Sequence, residues 1–283
     1  MYAETSLFDP GLFDDVDDAD DAADADAPDH APPGGQAARG DAPDVRLDRS
    51  LRGLVRHRLA RGAWIDLLPD WVTGGDLLER LLEDVPWRAE RRPMYDRVVA
   101  VPRLLCHYGE GERLPHPTLE TLREALNARY EPELGERLVT AGLCLYRDGA
   151  DSVAWHGDTI GRGRTSDTAV AIVSLGSPRE FLLRPRGGGA VARAIAGADL
   201  PDHGHRTPPR APGERPEAAP EHARAAAGTR GVTGAGTIRH TLHHGDLVVM
   251  GGSCQRTWEH AVPKTSRPVG PRVSIQFRTR GVS

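Results

Sequence analysis

Two short runs in the sequence carry the residue types of a metal centre. His156-Gly157-Asp158 and His244-Gly245-Asp246 each place an imidazole and a carboxylate two residues apart. On an extended chain that spacing projects both side chains to the same side. One further imidazole from a distant segment would complete a two-histidine, one-carboxylate face. Such a face holds a divalent metal and leaves the remaining coordination positions open, as in non-haem Fe(II) oxygenases. His260 can complete either pair. The same spacing also suits a plain turn with a capping aspartate. Asp246 leads straight into the apolar run 247–250, where an aspartate more naturally ends a turn, and the first pair is preferred mainly for the sequence that surrounds it.

These groups need elements to position them. Residues 64–68 form a short apolar run ending at Pro69, read as a strand. Leu77, Leu78, Leu81 and Leu82 follow at helical spacing, and Pro86 stops that helix. Residues 98–105 are β-prone, and Leu119, Leu122 and Leu126 mark a second amphipathic helix. From residue 143 onward the pattern changes to short apolar or alternating runs at 143–146, 169–175, 180–183, 247–250 and 273–277, bounded by turn formers. Helices followed by many short strands predict an α+β protein with a β-sandwich or jelly-roll core.

Three motifs, in order along the chain, then resemble one family. Leu145-Tyr146-Arg147-Asp148-Gly149 leading into Trp155-His156-Gly157-Asp158 resembles the first-strand motif of AlkB-like dioxygenases. Gln255 to Lys264, with Trp258-Glu259-His260, is similar to the segment around their distal histidine. Arg272-Val273-Ser274-Ile275-Gln276-Phe277-Arg278 resembles their closing strand. The resemblance spans about residues 60–283 and implies a double-stranded β-helix, the jelly-roll, preceded by N-terminal helices and strands. It implies Fe(II) on His156, Asp158 and His260, with 2-oxoglutarate and O2 as co-substrates. Arg272 would grip the C5 carboxylate of 2-oxoglutarate, Arg278 would lie by Asp158, and Tyr146 and Ser274 would stand in the co-substrate site. Arg272 and Arg278 are six apart and can face one side of a strand, where a guanidinium matches a carboxylate with two parallel hydrogen bonds.

The resemblance also marks departures and a substrate side. Cys144 stands where relatives often have Asn, and Ser274 and Gln276 where they tend to have Asn and Thr. Thr159 and Ile160 follow the metal aspartate where nucleic-acid repair members often carry acids. The segment from Pro102 to Gly109 resembles the family's nucleotide-recognition segment, so His107 and Tyr108 are candidates to hold an extruded base. The implied reaction is oxidative dealkylation of alkylated nucleobases in DNA or RNA, with single-stranded DNA favoured because extruding its base costs little. The rivals are the same oxygenase chemistry on a protein side chain or small metabolite, and a non-catalytic jelly-roll binding module.

Charge and composition set the remaining bounds. Residues 1–45 hold thirteen acidic residues and one arginine, a charge of −12. Against −5 for the whole chain, the rest carries +7, a balance that can attract a polyanion. That acidic tail cannot bury enough apolar surface to order itself. A Gly-, Ala-, Pro- and Arg-rich stretch at about 187–240 reads as an insertion in a domain covering 46–283. Three cysteines with no CxxC pair, no signal-peptide pattern and no long apolar run predict a cytoplasmic monomer that does not engage a membrane.

Overall fold

The computed structural model describes residues 45–94, 97–187 and 236–282. The chain passes through β1 (Arg46–Leu47), β2 (Val55–Arg58), β3 (Ala63–Leu68), β4 (Val72–Thr73), α1 (Leu77–Asp84), β5 (Arg88–Met94), β6 (Arg97–Tyr108) and α2 (Pro117–Leu134). It continues through β7 (Leu138–Tyr146), β8 (Val153–His156), β9 (Val170–Gly176), β10 (Arg179–Pro185), β11 (Ile238–Leu242), β12 (Leu247–Gly252), the single turn α3 (Cys254–Thr257), β13 (Trp258–Val262) and β14 (Arg272–Thr279). This is the expected α+β order.

Among the described residues the strands form a large sheet, β2-β3-β12-β9-β14-β7-β6-β5, and a smaller one, β11-β10-β13-β8. Their strand pairs are antiparallel. The two sheets enclose Ile65, Cys144, Tyr146, Ile172, Met250 and Val248 from one side and Val153, Phe181, Leu183, Trp258 and Val262 from the other. The opposite face of the large sheet, with Leu143, Val173, Val249, Val273, Ile275 and Phe277, buries α1 and α2. This is the jelly-roll, with the helices on one outer face. Both faces of the central strands are covered, which is why the sequence shows them as nearly continuous apolar runs.

The helices form for local reasons. Leu77 and Leu81 lie one turn apart on the buried stripe of α1. Pro117 opens α2, the His116 ring accepts a hydrogen bond from the Thr118 N–H, and Gly135 closes the helix with φ of 73°. Asn127 then ties the helix to β7, accepting from the Leu138 N–H at 2.7 Å and donating to its carbonyl at 3.2 Å.

Two expectations need comment. Residues 238–240, read as the end of an insertion at about 187–240, instead belong to β11, paired with β10 from Leu183↔Ile238 to Arg179↔Leu242. Only Ile238 and Leu242 of that strand are buried, so the strand has little apolar signature. The central part of the proposed insertion, 188–235, and residues 1–44 of the acidic tail lie outside the described residues.

Candidate metal centre and co-substrate pocket

His156 ends β8, and His260 faces it from β13. Register runs from Val262↔Val153 to His260↔His156, so β8 uses three steps where β13 uses two. That extra residue is a bulge, and it turns both Val153 and His156 inward where strict alternation would have separated them. On the strand's other side Trp155 stacks with the Arg184 guanidinium, 4.1 Å from its ring, and Arg184 pairs with Glu259 at 2.8 Å.

Gly157 permits the turn that follows. A Cβ there would come within 2.5 Å of the Gln255 carbonyl oxygen, closer than any side chain tolerates. Gln255, buried in α3, also accepts the Asp158 N–H at 3.0 Å. The result brings ligand atoms of His156, Asp158 and His260 within 4.8 Å of one another. The His156 and His260 rings are 4.2 Å apart, and Phe181 packs on His260 at 5.6 Å. His156 Nδ1 lies 2.9 Å from the Ala154 carbonyl, leaving Nε2 for the centre, 4.0 Å from Asp158 Oδ1.

The electrostatics suit a metal. Burial raises the Asp158 carboxyl, but Arg278, His260 and His156 outweigh it and hold it at about 2. Burial, reinforced by His156, lowers His260 to about 3, and burial lowers His156 as well. The triad therefore offers two neutral imidazoles and one carboxylate, the protonation states that metal ligation requires.

The second pair has another task. Asp246 accepts backbone N–H groups of His243 at 2.8 Å and Asp70 at 3.0 Å, and His244 Nδ1 accepts from the Gly176 N–H at 3.1 Å. Gly245 has φ of 86°, with the Val72 carbonyl against its Cα. That sequence is a turn joining β11 to β12.

Beside the triad a cavity opens, lined on the large sheet by Arg103, Tyr146, Ile172, Arg272, Ser274 and Gln276, and on the small sheet by Val153, Phe181 and Val262 with the two histidines. Arg272, Ser274, Gln276 and Arg278 alternate with Val273, Ile275 and Phe277, which face the helix side, so one strand supplies the whole polar row. Arg272 is 1% exposed. Its Nε donates to Ser174 Oγ at 2.8 Å, its guanidinium stands 5.1 Å from the Tyr146 ring, and its Nη1 is buried without a hydrogen-bond partner. Arg278 Nη2 reaches Asp158 Oδ1 at 3.5 Å, and Nε reaches Oδ2 at the same distance. Cys144 Sγ takes a contact from Gln276 Nε2 at 3.5 Å, so the two departures from the family pattern touch each other.

The substrate candidates separate. His107 lies on the Arg278 side of β6, where burial first and Arg278 second lower its pKa. Tyr108, the next residue, points to the other face and packs on the helix-side core; strand parity alone puts them apart. Sequence reading missed two groups. Gln255 positions Asp158, and nothing in its surroundings in sequence announces that. Arg103 lines the cavity at 2% exposure, and its signal was an arginine set inside an apolar, β-prone run.

The site fits both cofactors. Arg272, which lines the cavity, keeps a buried guanidinium nitrogen without a partner next to a converged His-Asp-His set, the donor chemistry of Fe(II) with a bound oxo-acid. Comparison agrees. The chain is 29% identical over 224 residues to the Homo sapiens protein named Alpha-ketoglutarate-dependent dioxygenase alkB homolog 3, covering 74% of this chain and 61% of that one. It is 29% identical over 249 residues to the Mus musculus protein of the same name, covering 82% and 69%. It is 27% identical over 207 residues to DNA oxidative demethylase ALKBH2 of Arabidopsis thaliana, covering 69% and 58%. The chain thus spans about three fifths of the human relative's length. The family model described as 2OG-Fe(II) oxygenase superfamily matches residues 73–278, a range that holds the triad, the cavity and both closing-strand arginines, and with that match this chain belongs to the 2OG-Fe(II) oxygenase superfamily.

Proposed function

We propose that this 2-oxoglutarate-dependent dioxygenase removes alkyl groups from nucleobases by oxidation, with single-stranded DNA as the favoured substrate and RNA as a further one. The observation that carries the reading is similarity over 207 residues to a protein named for oxidative demethylation of DNA. The +7 balance outside residues 1–45 supports it, as does the edge strand β5, where Arg88 and Arg91 are exposed beside the cavity-lining strand β6.

Fe(II) bound with 2-oxoglutarate and O2 supplies the oxidant that hydroxylates the alkyl carbon, with succinate and CO2 as co-products. The protein's part follows from its residues. His156, Asp158 and His260 would hold the iron, which would supply the oxidising chemistry beside the cavity. Arg272 takes the distal carboxylate of the oxo-acid, held in aim by Ser174. Val153, Ile172, Phe181 and Val262 keep water from the reacting carbon. A hydroxylated N-alkyl group then loses its carbon as an aldehyde without further help, formaldehyde in the case of a methyl.

The test is formaldehyde release from single-stranded oligonucleotides carrying 1-methyladenine or 3-methylcytosine, with succinate measured in parallel. Turnover that scales with lesion and weakens with salt supports the reading. Succinate production driven by a peptide or metabolite, with no formaldehyde from either lesion, moves the substrate to a protein side chain or small molecule.

A further inference from the structure

The co-substrate cavity contains a second buried cation. Arg103 sits on β6 one register step from Leu104↔Leu145, which places it across from Tyr146, and Tyr146 in turn pairs with Arg272 on β14. One row across the large sheet thus carries Arg103, Tyr146 and Arg272, all lining the cavity. The Arg103 guanidinium lies beside Cys144 and Tyr146, and Nη1 donates to the Ser152 carbonyl at 3.2 Å. Its Nε is buried and has no hydrogen-bond partner, as is true of Arg272 Nη1.

Two buried guanidinium groups in one cavity need negative charge to offset their desolvation. None of the cavity's lining residues is an aspartate or glutamate. Of the acids outside that lining, Asp158 is already engaged with Arg278 and the metal face, and Glu90 on the edge strand β5 acts on Arg103 without lining the cavity. A dicarboxylate supplies the missing charge, and 2-oxoglutarate carries two. Cys144, beside Arg103, is a weak hydrogen-bond partner and cannot hold a carboxylate oxygen. We propose that Arg103 is a co-substrate-binding residue, a second guanidinium that grips 2-oxoglutarate together with Arg272 and supplies the contact that Cys144 cannot make.

The proposal rests on the cavity and not on the identity of the primary substrate, so its main titration uses 2-oxoglutarate alone and a methylated oligonucleotide enters only as a separate control. The full chain is loaded with Mn(II), and 2-oxoglutarate is titrated calorimetrically. Arg103→Gln should weaken 2-oxoglutarate binding at least tenfold, equivalent to about 1.4 kcal/mol, with Mn(II) affinity unchanged. Arg103→Lys keeps the charge but loses the planar fork, and should weaken binding by a smaller factor, above threefold; it decides the matter if the glutamine variant does not fold. Affinity for 2-oxoglutarate within twofold of the parent in the folded variants, with Mn(II) bound normally, would overturn the proposal. So would a loss confined to the affinity for a methylated oligonucleotide, which would assign Arg103 to the primary substrate.

Discussion

Replacing Arg272 by lysine probes the co-substrate grip at its centre. The guanidinium is fully buried, with Nε donating to Ser174 Oγ at 2.8 Å and Nη1 left without a partner. A carboxylate there receives two parallel charge-assisted hydrogen bonds from a group already fixed in direction. Lysine keeps the charge but presents a single ammonium that cannot satisfy Ser174 and both carboxylate oxygens together. Losing one charge-assisted bond costs about 1.5–3 kcal/mol, which corresponds to roughly a 10- to 150-fold rise in KM for 2-oxoglutarate. Succinate formation measured against 2-oxoglutarate concentration gives that KM, and kcat at saturation should change far less. A control co-substrate, 2-oxobutyrate, lacks the distal carboxylate and should be used equally well by parent and variant. If KM for 2-oxoglutarate stays within twofold, or if 2-oxobutyrate suffers to the same degree, Arg272 does not hold that carboxylate.

Two other perturbations test the metal centre. Gly157→Ala places a Cβ 2.5 Å from the Gln255 carbonyl and should displace Asp158, lowering Fe(II) affinity at least tenfold while the melting temperature falls modestly; unchanged metal affinity would show that the turn adjusts without moving its ligand. The pH dependence of apo stability has a definite sign. Burial lowers folded His260 to about 3 from 6.5, so the unfolded chain binds more protons between those values. Stability against denaturant should therefore decline as pH falls from 6.5 toward 3, more steeply in the parent than in His260→Gln; equal slopes would remove His260 as the source.

Several site residues were legible because strand geometry is local. Arg272 and Arg278 share a side of one strand at six-residue spacing, and His156 and Asp158 were nominated by type and spacing, although a turn at Gly157 rather than strand alternation brings Asp158 to the centre. The limits came where geometry depends on a partner strand. Tyr108 was nominated together with His107, yet neighbours on a strand face opposite ways, and only the sheet's position between helices and cavity says which of the two faces the site. β8 itself was hidden, since four residues paired with a single neighbour leave almost no periodic signal.

The amino-acid sequence by itself determined the α+β order, the apolar strands buried on both faces and the set of groups able to bind a metal and a carboxylate, because these follow from side-chain type and short-range periodicity. Tertiary structure decided how the first His-Gly-Asp, already preferred on its sequence context, meets its third ligand while the second does not. Both have the same local chemistry, but His156 meets His260 across a bulged β8–β13 pair, whereas Asp246 spends its oxygens on the backbone N–H groups of Asp70 and His243. It also decided that Arg103 enters the cavity, since that depends on β6 lying beside β7 in a register that sets Arg103 across from Tyr146. Convergence of residues a hundred positions apart is a property of strand pairing and register, which no local pattern encodes.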